Sequence, residues 1–330
     1  MMSPRRLNLT LAVAVLLAVA GACALGSTAL GAGRLLAALT FSGEVGDQLV
    51  LWQIRLPRAL CAALVGAALG ASGAALQGLL RNPLAEPGVL GVSATAALGA
   101  MLAIYFGAAT LTAWSVPLAA IAGALLATGV IAAAALRTAS VVTLILVGVG
   151  LSSFAGAITS ALINFSRSPF TLADMVNWML GTVANRSFDD LLFAAPFVGV
   201  GLVILAASRR GLSALMLGEE SAQAIGLNLS RQRVLVVLGS GLATGGAVAL
   251  AGSIGFVGII APHLVRPWVG FDPARSLLPS ALLGALVLVL SDILVRLLPT
   301  GTELRLGVVA ALIGAPLFIR IAMRRQAGHG

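Results

Sequence analysis

Apolar runs of membrane length recur along the chain, separated by short clusters of charge, proline and glycine. They fall near residues 9–30, 59–79, 89–107, 116–136, 141–163, 191–208, 234–252, 254–270, 277–297 and 305–323. A helix needs about 20 apolar residues to cross a hydrocarbon core of about 30 Å. Within lipid, the helix satisfies its backbone groups internally. The pattern predicts an all-α, polytopic membrane protein of about ten transmembrane helices, in one membrane domain over residues 1–330. The runs are rich in Ala, Leu, Val and Gly, which suits helices packed closely through small side chains. The 254–270 run is the least regular, because Pro262 and Pro267 interrupt it. The join at Gly252–Gly255 is short, so a tight turn at the membrane surface is expected there. Residues 66–78 and 240–252 share a Gly/Ala/Leu pattern, as inverted repeats would.

Composition removes most other classes. Of 330 residues, 59% are hydrophobic and 9% charged, whereas a soluble domain carries about 25% charged residues. Mean hydropathy is +1.07. A soluble enzyme, a disordered chain and a nucleic-acid binder are excluded, despite a pI near 11.5. All 20 basic residues are arginine. Without lysine there is no phosphate-binding G-x-x-x-x-G-K-[ST] loop, so the chain is not itself a P-loop ATPase. Cys23, Cys61, His263 and His329 are too few and too scattered for a disulfide framework or a metal cluster. A membrane enzyme would need a nucleophile, base or metal constellation, and none is present. A proton- or sodium-driven transporter usually keeps ionisable groups at mid-membrane. Here the one carboxylate within a predicted span is Asp292, near its outer end.

Arginine asymmetry gives an orientation. With the N-terminus in the cytoplasm and ten alternating spans, the inner segments hold 13 arginines against four acids. The outer segments hold seven of each. Both termini are therefore expected in the cytoplasm. Arg5-Arg6 followed by an apolar run and Cys23 also resembles a signal peptide, but the run continues to Leu30, long enough to span.

Three segments stand out from this background. In Trp52-Gln53-Ile54-Arg55-Leu56-Pro57-Arg58, outside the second span, two arginines stiffened by a proline can face an acidic partner together. Interfacial anchoring is the alternative. In Arg81-Asn82-Pro83-Leu84-Ala85-Glu86-Pro87-Gly88, two prolines and a glycine forbid a continuous helix. Such a segment belongs against protein or along a watery path, or forms an ordinary inner turn. In the longest inner loop, residues 217–227, Ser221 to Ala224 between two glycines reads as a short capped helix. It suits a docking element or a solvated loop.

Several motifs together resemble one family. They are R-L-P-R at 55–58, G-A-x-L-G-x-S-G from Gly66, Gln77, R-N-P-L-A-E-P-G-V-L-G-V-S at 81–93 and L-G-E-E-S-A-Q-A-I-G-L at 217–227. G-S-I-G-F-V-G-I-I-A-P-H-L-V-R at 252–266, Asp292 with Arg296, and G-V-V-A-A-L-I-G-A-P-L-F at 307–318 complete the set. Over nearly its whole length the chain resembles the permease subunit of bacterial ABC importers for iron–siderophore, haem and cobalamin. The resemblance implies a cobalamin-permease-like fold, a homodimer in the bacterial inner membrane, and import of a metal chelate by alternating access. It implies a periplasmic binding protein docking on Arg55, Arg58 and Arg296. An i,i+4 pair between Asp292 and Arg296 is a structural alternative for the last. A cytoplasmic gate is implied at Asn82, Pro83, Leu84, Ser140 and Val141. Coupling to two ATPase subunits is implied at Gly218, Glu219, Glu220, Ser221, Ala222, Gln223 and Gly226. No cofactor or metal is expected on this chain, with ATP and Mg on the ATPase, and no nucleic acid is expected as a partner. The sequence departs from the family before the last span, where Glu303-Leu304-Arg305-Leu306 stands in place of Glu-Leu-Pro.

Overall fold

Among the described residues, seven helices are long and apolar enough to cross a membrane, and shorter apolar helices lie beside them. The computed structural model describes residues 3–26, 30–138, 140–166, 168–298 and 303–326, with side chains of the last helix described as far as Arg320. Arg167, His329 and the side chains of Arg324 and Arg325, counted above, lie outside that description. In chain order the helices begin with α1 (Pro4–Ala24), α2 (Ala32–Leu39), α3 (Val45–Leu49) and α4 (Leu56–Leu79). Next come α5 (Val92–Tyr105), α6 (Ser115–Arg137), α7 (Val141–Asn164), α8 (Pro169–Met179) and α9 (Phe188–Ala207). The last six are α10 (Arg209–Ala214), α11 (Glu219–Ala224), α12 (Leu229–Ala251), α13 (Val257–Val265), α14 (Pro273–Leu297) and α15 (Leu306–Gln326).

Side-chain caps set several of the helix starts. Ser140, Ser168, Asn228 and Asp272 each accept a hydrogen bond from a backbone N–H in the first turn of α7, α8, α12 and α14. Ser187 and Asp190 form a reciprocal capping box on α9. Each cap satisfies a donor that the helix itself cannot.

α4 and α12 form the centre, with 78% of their most apolar windows buried, against 17% for α7 and 22% for α1 and α9. α4 packs along α14, while α12 packs against α9, α6 and α4. Lipid supplies no hydrophobic drive between helices, so close approach decides. Gly66 and Gly70 of α4 abut the backbone of Gly284 and Ser280 on α14, and a Cβ at either would collide with a carbonyl oxygen. α4 and α12 run in opposite directions. α1, α5, α7, α12 and α14 start on the face where α1 begins, termed the first face. α4, α6, α9 and α15 start on the second face.

Three elements differ from the apolar pattern. The helix through R-L-P-R is continuous from Val45 to Leu79, about 52 Å at 1.5 Å per residue, so these arginines lie within it and not beside it. Residues Val50–Arg55 widen into a π-helical turn in which the Leu56 N–H reaches Leu51 O. This local change accommodates Pro57, which lacks an N–H. The 89–107 run becomes a 3-10 turn, Pro87–Leu90, followed by the 14-residue α5. The 254–270 run yields the nine-residue α13 and a 3-10 turn, Arg266–Val269. α13 covers about 14 Å, roughly half the hydrocarbon core. Between α7 and α9 lies α8, whose Met175 is buried.

Candidate functional site

On the second face, Arg55, Arg58 and Arg296 converge and turn inward. Arg55 and Arg58 are only 5% and 8% exposed. Asp292, 1% exposed, lies between two of the guanidiniums. Arg58 Nε donates to Asp292 Oδ1 at 2.8 Å, and Arg296 Nη2 stands 3.0 Å from Oδ2. The i,i+4 pair anticipated from the sequence is therefore formed. Arg58 also pairs with Glu303, just before α15. Arg55 Nη1 donates to the carbonyls of Cys23 and Ala24 at 2.9 and 3.0 Å, and Arg296 Nη1 to Ala22 O at 3.0 Å. Those carbonyls end α1, where unpaired oxygens and the helix dipole favour cations. Three guanidiniums face two carboxylates, which leaves one positive charge in the cluster.

On the first face, residues 81–91 fold back along the helices. Gly258 packs against Gly73 of α4, and the Glu86 Cβ lies close to Gly258. Gly73 is about 9 Å up the helix from Leu79. Gly91 (φ 76°) abuts Gly148, similarly far into α7. The loop is re-entrant, and other protein segments satisfy its polar groups, as depth in lipid demands. Ser152 Oγ donates to Gly88 O at 3.3 Å, and Gln77 Nε2 to Gly258 O at 3.1 Å. Glu86 Oε2 accepts from Phe256 N at 3.3 Å, at the start of α13. A carboxylate there complements the helix dipole. Phe256 itself, at φ 67°, faces Phe318 of α15 with ring centroids 6.5 Å apart.

Asn82, Pro83 and Leu84 form the tip of this loop, where Asn82 Oδ1 accepts from Leu84 N at 2.9 Å. Ser140 and Val141 lie on the same face, at the cap and first residue of α7. Beyond them, α11 is bounded by Gly218 (φ 103°) and Gly226 (φ 91°). Ala222 is buried, while Glu220, Ser221 and Gln223 are exposed. Glu219 accepts from Arg233 Nη2 at 2.9 and 3.0 Å, and Arg233 Nη1 donates to Thr138 O at 3.3 Å. Met216, Leu217 and Ile225 form an exposed apolar rim around α11, at 52%, 64% and 65% exposure. Neighbouring exposed apolar groups of this kind mark contact surfaces.

A family model described as the FecCD transport family matches residues 10–324. The chain belongs to the FecCD transport family. It is a membrane-spanning ABC transporter permease. It is 42% identical over 280 residues to the vitamin B12 import system permease protein BtuC of Citrobacter koseri, covering 84% of each chain. It is 38% identical over 299 residues to the ABC transporter permease protein YvrB of Bacillus subtilis, covering 87% of this chain and 84% of that one. A solved ABC transporter in an inward-facing conformation, assigned to the metal-chelate type, matches with a TM-score of 0.87 and 32% identity. That match covers 96% of this chain and 98% of the other.

Sequence reasoning missed four participants. The α1 carbonyls carry no local signal, and Glu303, though named in the segment before the last span, lies 245 residues from its partner Arg58. Glu86 lay in a proline-bracketed motif that hinted at a folded-back loop, but its partner is 170 residues away. Arg81 opened the same motif without any sign of its backbone conformation. Among the described residues, no group of three or more His, Cys, Asp and Glu side chains could hold a metal ion.

Proposed function

We propose that this permease carries a metal chelate, an iron–siderophore, haem or cobalamin, from periplasm to cytoplasm by alternating access. It works as a homodimer in the bacterial inner membrane. Two ATPase subunits, which hold ATP and Mg, bind its cytoplasmic side, and a periplasmic substrate-binding protein docks opposite. Hydrolysis takes place on those partner chains, and this chain supplies the pathway. The first face is cytoplasmic, with both termini on that side.

The observation that carries this reading is the pairing of two unlike ends on one family fold. The second face holds Arg55, Arg58 and Arg296, largely buried in a network with Asp292 and Glu303, and its one positive charge in excess favours acidic groups of a binding protein docked over it. The first face holds a re-entrant tip, Asn82 to Leu84, near Ser140 and Val141, and these form the cytoplasmic gate. Small polar and apolar groups close such a gate by packing and offer a bulky chelate no tight site. Gly218 to Gly226 couple it to the ATPase, with Glu220, Ser221 and Gln223 exposed beside the apolar rim. The sparse burial of α7 and an apolar groove of about 550 Å³ along α15, lined by Val308, Ala311 and Leu312, support a second copy against this side.

The test is reconstitution of the permease with its ATPase chain in liposomes, adding each candidate chelate with its binding protein. One chelate should stimulate ATP hydrolysis and enter the lumen. Stimulation by none, with every protein correctly assembled, would reject the substrate class.

A further inference from the structure

Arg81 stands between the two elements of the first face that must move together. It follows α4 directly and has φ 48°, a left-handed conformation that disfavours a residue with a Cβ. Strain of this kind persists where surrounding bonds hold it. Its Nη2 donates to Leu215 O at 2.7 Å. Leu215 caps α10 and opens the 3-10 turn Leu215–Leu217 that leads into Gly218, and a Cβ on Gly218 would lie 3.6 Å from the same Nη2. The guanidinium therefore grips the root of α11. On its other side, the Arg81 peptide leads into Asn82, whose side chain shapes the loop tip.

The two elements do not simply pack on each other. A cavity of about 330 Å³ lies there, lined by residues including Arg81, Pro83, Leu215, Met216, Arg266 and Phe271. The Arg81 bond bridges this space, so movement at the root of α11 reaches the loop tip through a charge-assisted contact to a carbonyl. Further along, Glu86 fastens the same loop to the start of α13 and so opposes its free rotation.

We propose that Arg81 is a positioning residue that transmits displacement of the 217–227 segment to the Asn82–Leu84 gate. This rests on the reading of those segments as coupling element and gate. The guanidinium acts mechanically, with no contact to nucleotide and no part in hydrolysis.

The test uses the full importer in liposomes and reads chelate transported per ATP hydrolysed. Arg81→Asn suits it, because Asn tolerates the left-handed backbone and removes only the long donor. ATPase association and hydrolysis should stay within about twofold of the parent, while transport per ATP falls roughly tenfold, the scale of one charged hydrogen bond in a coupling equilibrium. Arg81→Lys, which keeps a cationic donor, should recover part of the ratio. An unchanged ratio in Arg81→Asn, or transport and hydrolysis falling in parallel, overturns the proposal. A separate variant, Met216→Asp with Ile225→Asp, tests the underlying reading. If the ATPase chain still associates fully with it, 217–227 is not the coupling element. Loss of association in that variant, with an unchanged ratio in Arg81→Asn, rejects the relay alone.

Discussion

The two ends of α4 solve opposite problems with the same residue type. At the second face, Arg58 is locked against Asp292 and Glu303, with Arg55 and Arg296 seated on the carbonyls that end α1. At the first face, Arg81 is exposed and donates across to Leu215 O. The first arrangement is a closed network joining α1, α4 and α14. The second is a tether between two loops beside a cavity. A buried network has few alternative arrangements, whereas a tether across a cavity can follow one side when it moves. Charge pattern alone does not separate arginines held in a buried network from one that reaches across from an exposed loop.

The most disruptive way to break the contrast is Asp292→Ala. It would leave buried Arg58 with Glu303 alone and half-buried Arg296 without a carboxylate, and breaking a buried pair costs up to about 3–5 kcal/mol. Thermal unfolding in detergent should show a large loss of stability. A transition within error of the parent would mean that the cluster is solvated and its network unimportant.

Next in size is the rod that joins the two ends. Gly70→Val would force a branched side chain into the Ser280 backbone, and overpacking of this kind costs about 1–3 kcal/mol or more. The same unfolding measurement should report it, whereas Gly129→Val, where a Cβ meets nothing within 4 Å, should be nearly silent. Equal effects at both sites would contradict the close α4–α14 packing.

A smaller effect is expected where the re-entrant loop meets α13. Glu86→Gln keeps an acceptor for Phe256 N but removes the charge at the helix start, worth about 0.3–1 kcal/mol. Amide exchange at Phe256 and Val257 should rise modestly, and Glu86→Ala should raise it further. No change in either variant would remove Glu86 from the set of loop anchors.

Much of this was legible from residues alone, and the failures have physical causes. Period and length of the apolar runs located the long helices, and flanking glycines located α11. R-L-P-R was misplaced outside its helix, because proline usually marks a boundary and the π-turn that absorbs Pro57 has no local signature. The 254–270 run was overestimated, since an apolar composition suits an extended segment plus a half-length helix as well as a span. The arginine cluster was assembled from motif resemblance, but its burial depends on Asp292, 234 residues from Arg58. Tertiary partners at such distances leave no trace in a single sequence.

On this reading, ATP bound by the partner chains drives passage by acting on the first face. Uptake of the matching chelate into liposomes, with the ATPase chain and an uncoupler both varied, tests it most directly. Uptake should require ATP and the ATPase chain and be indifferent to the uncoupler. Uptake by the permease alone, abolished by the uncoupler, would contradict it.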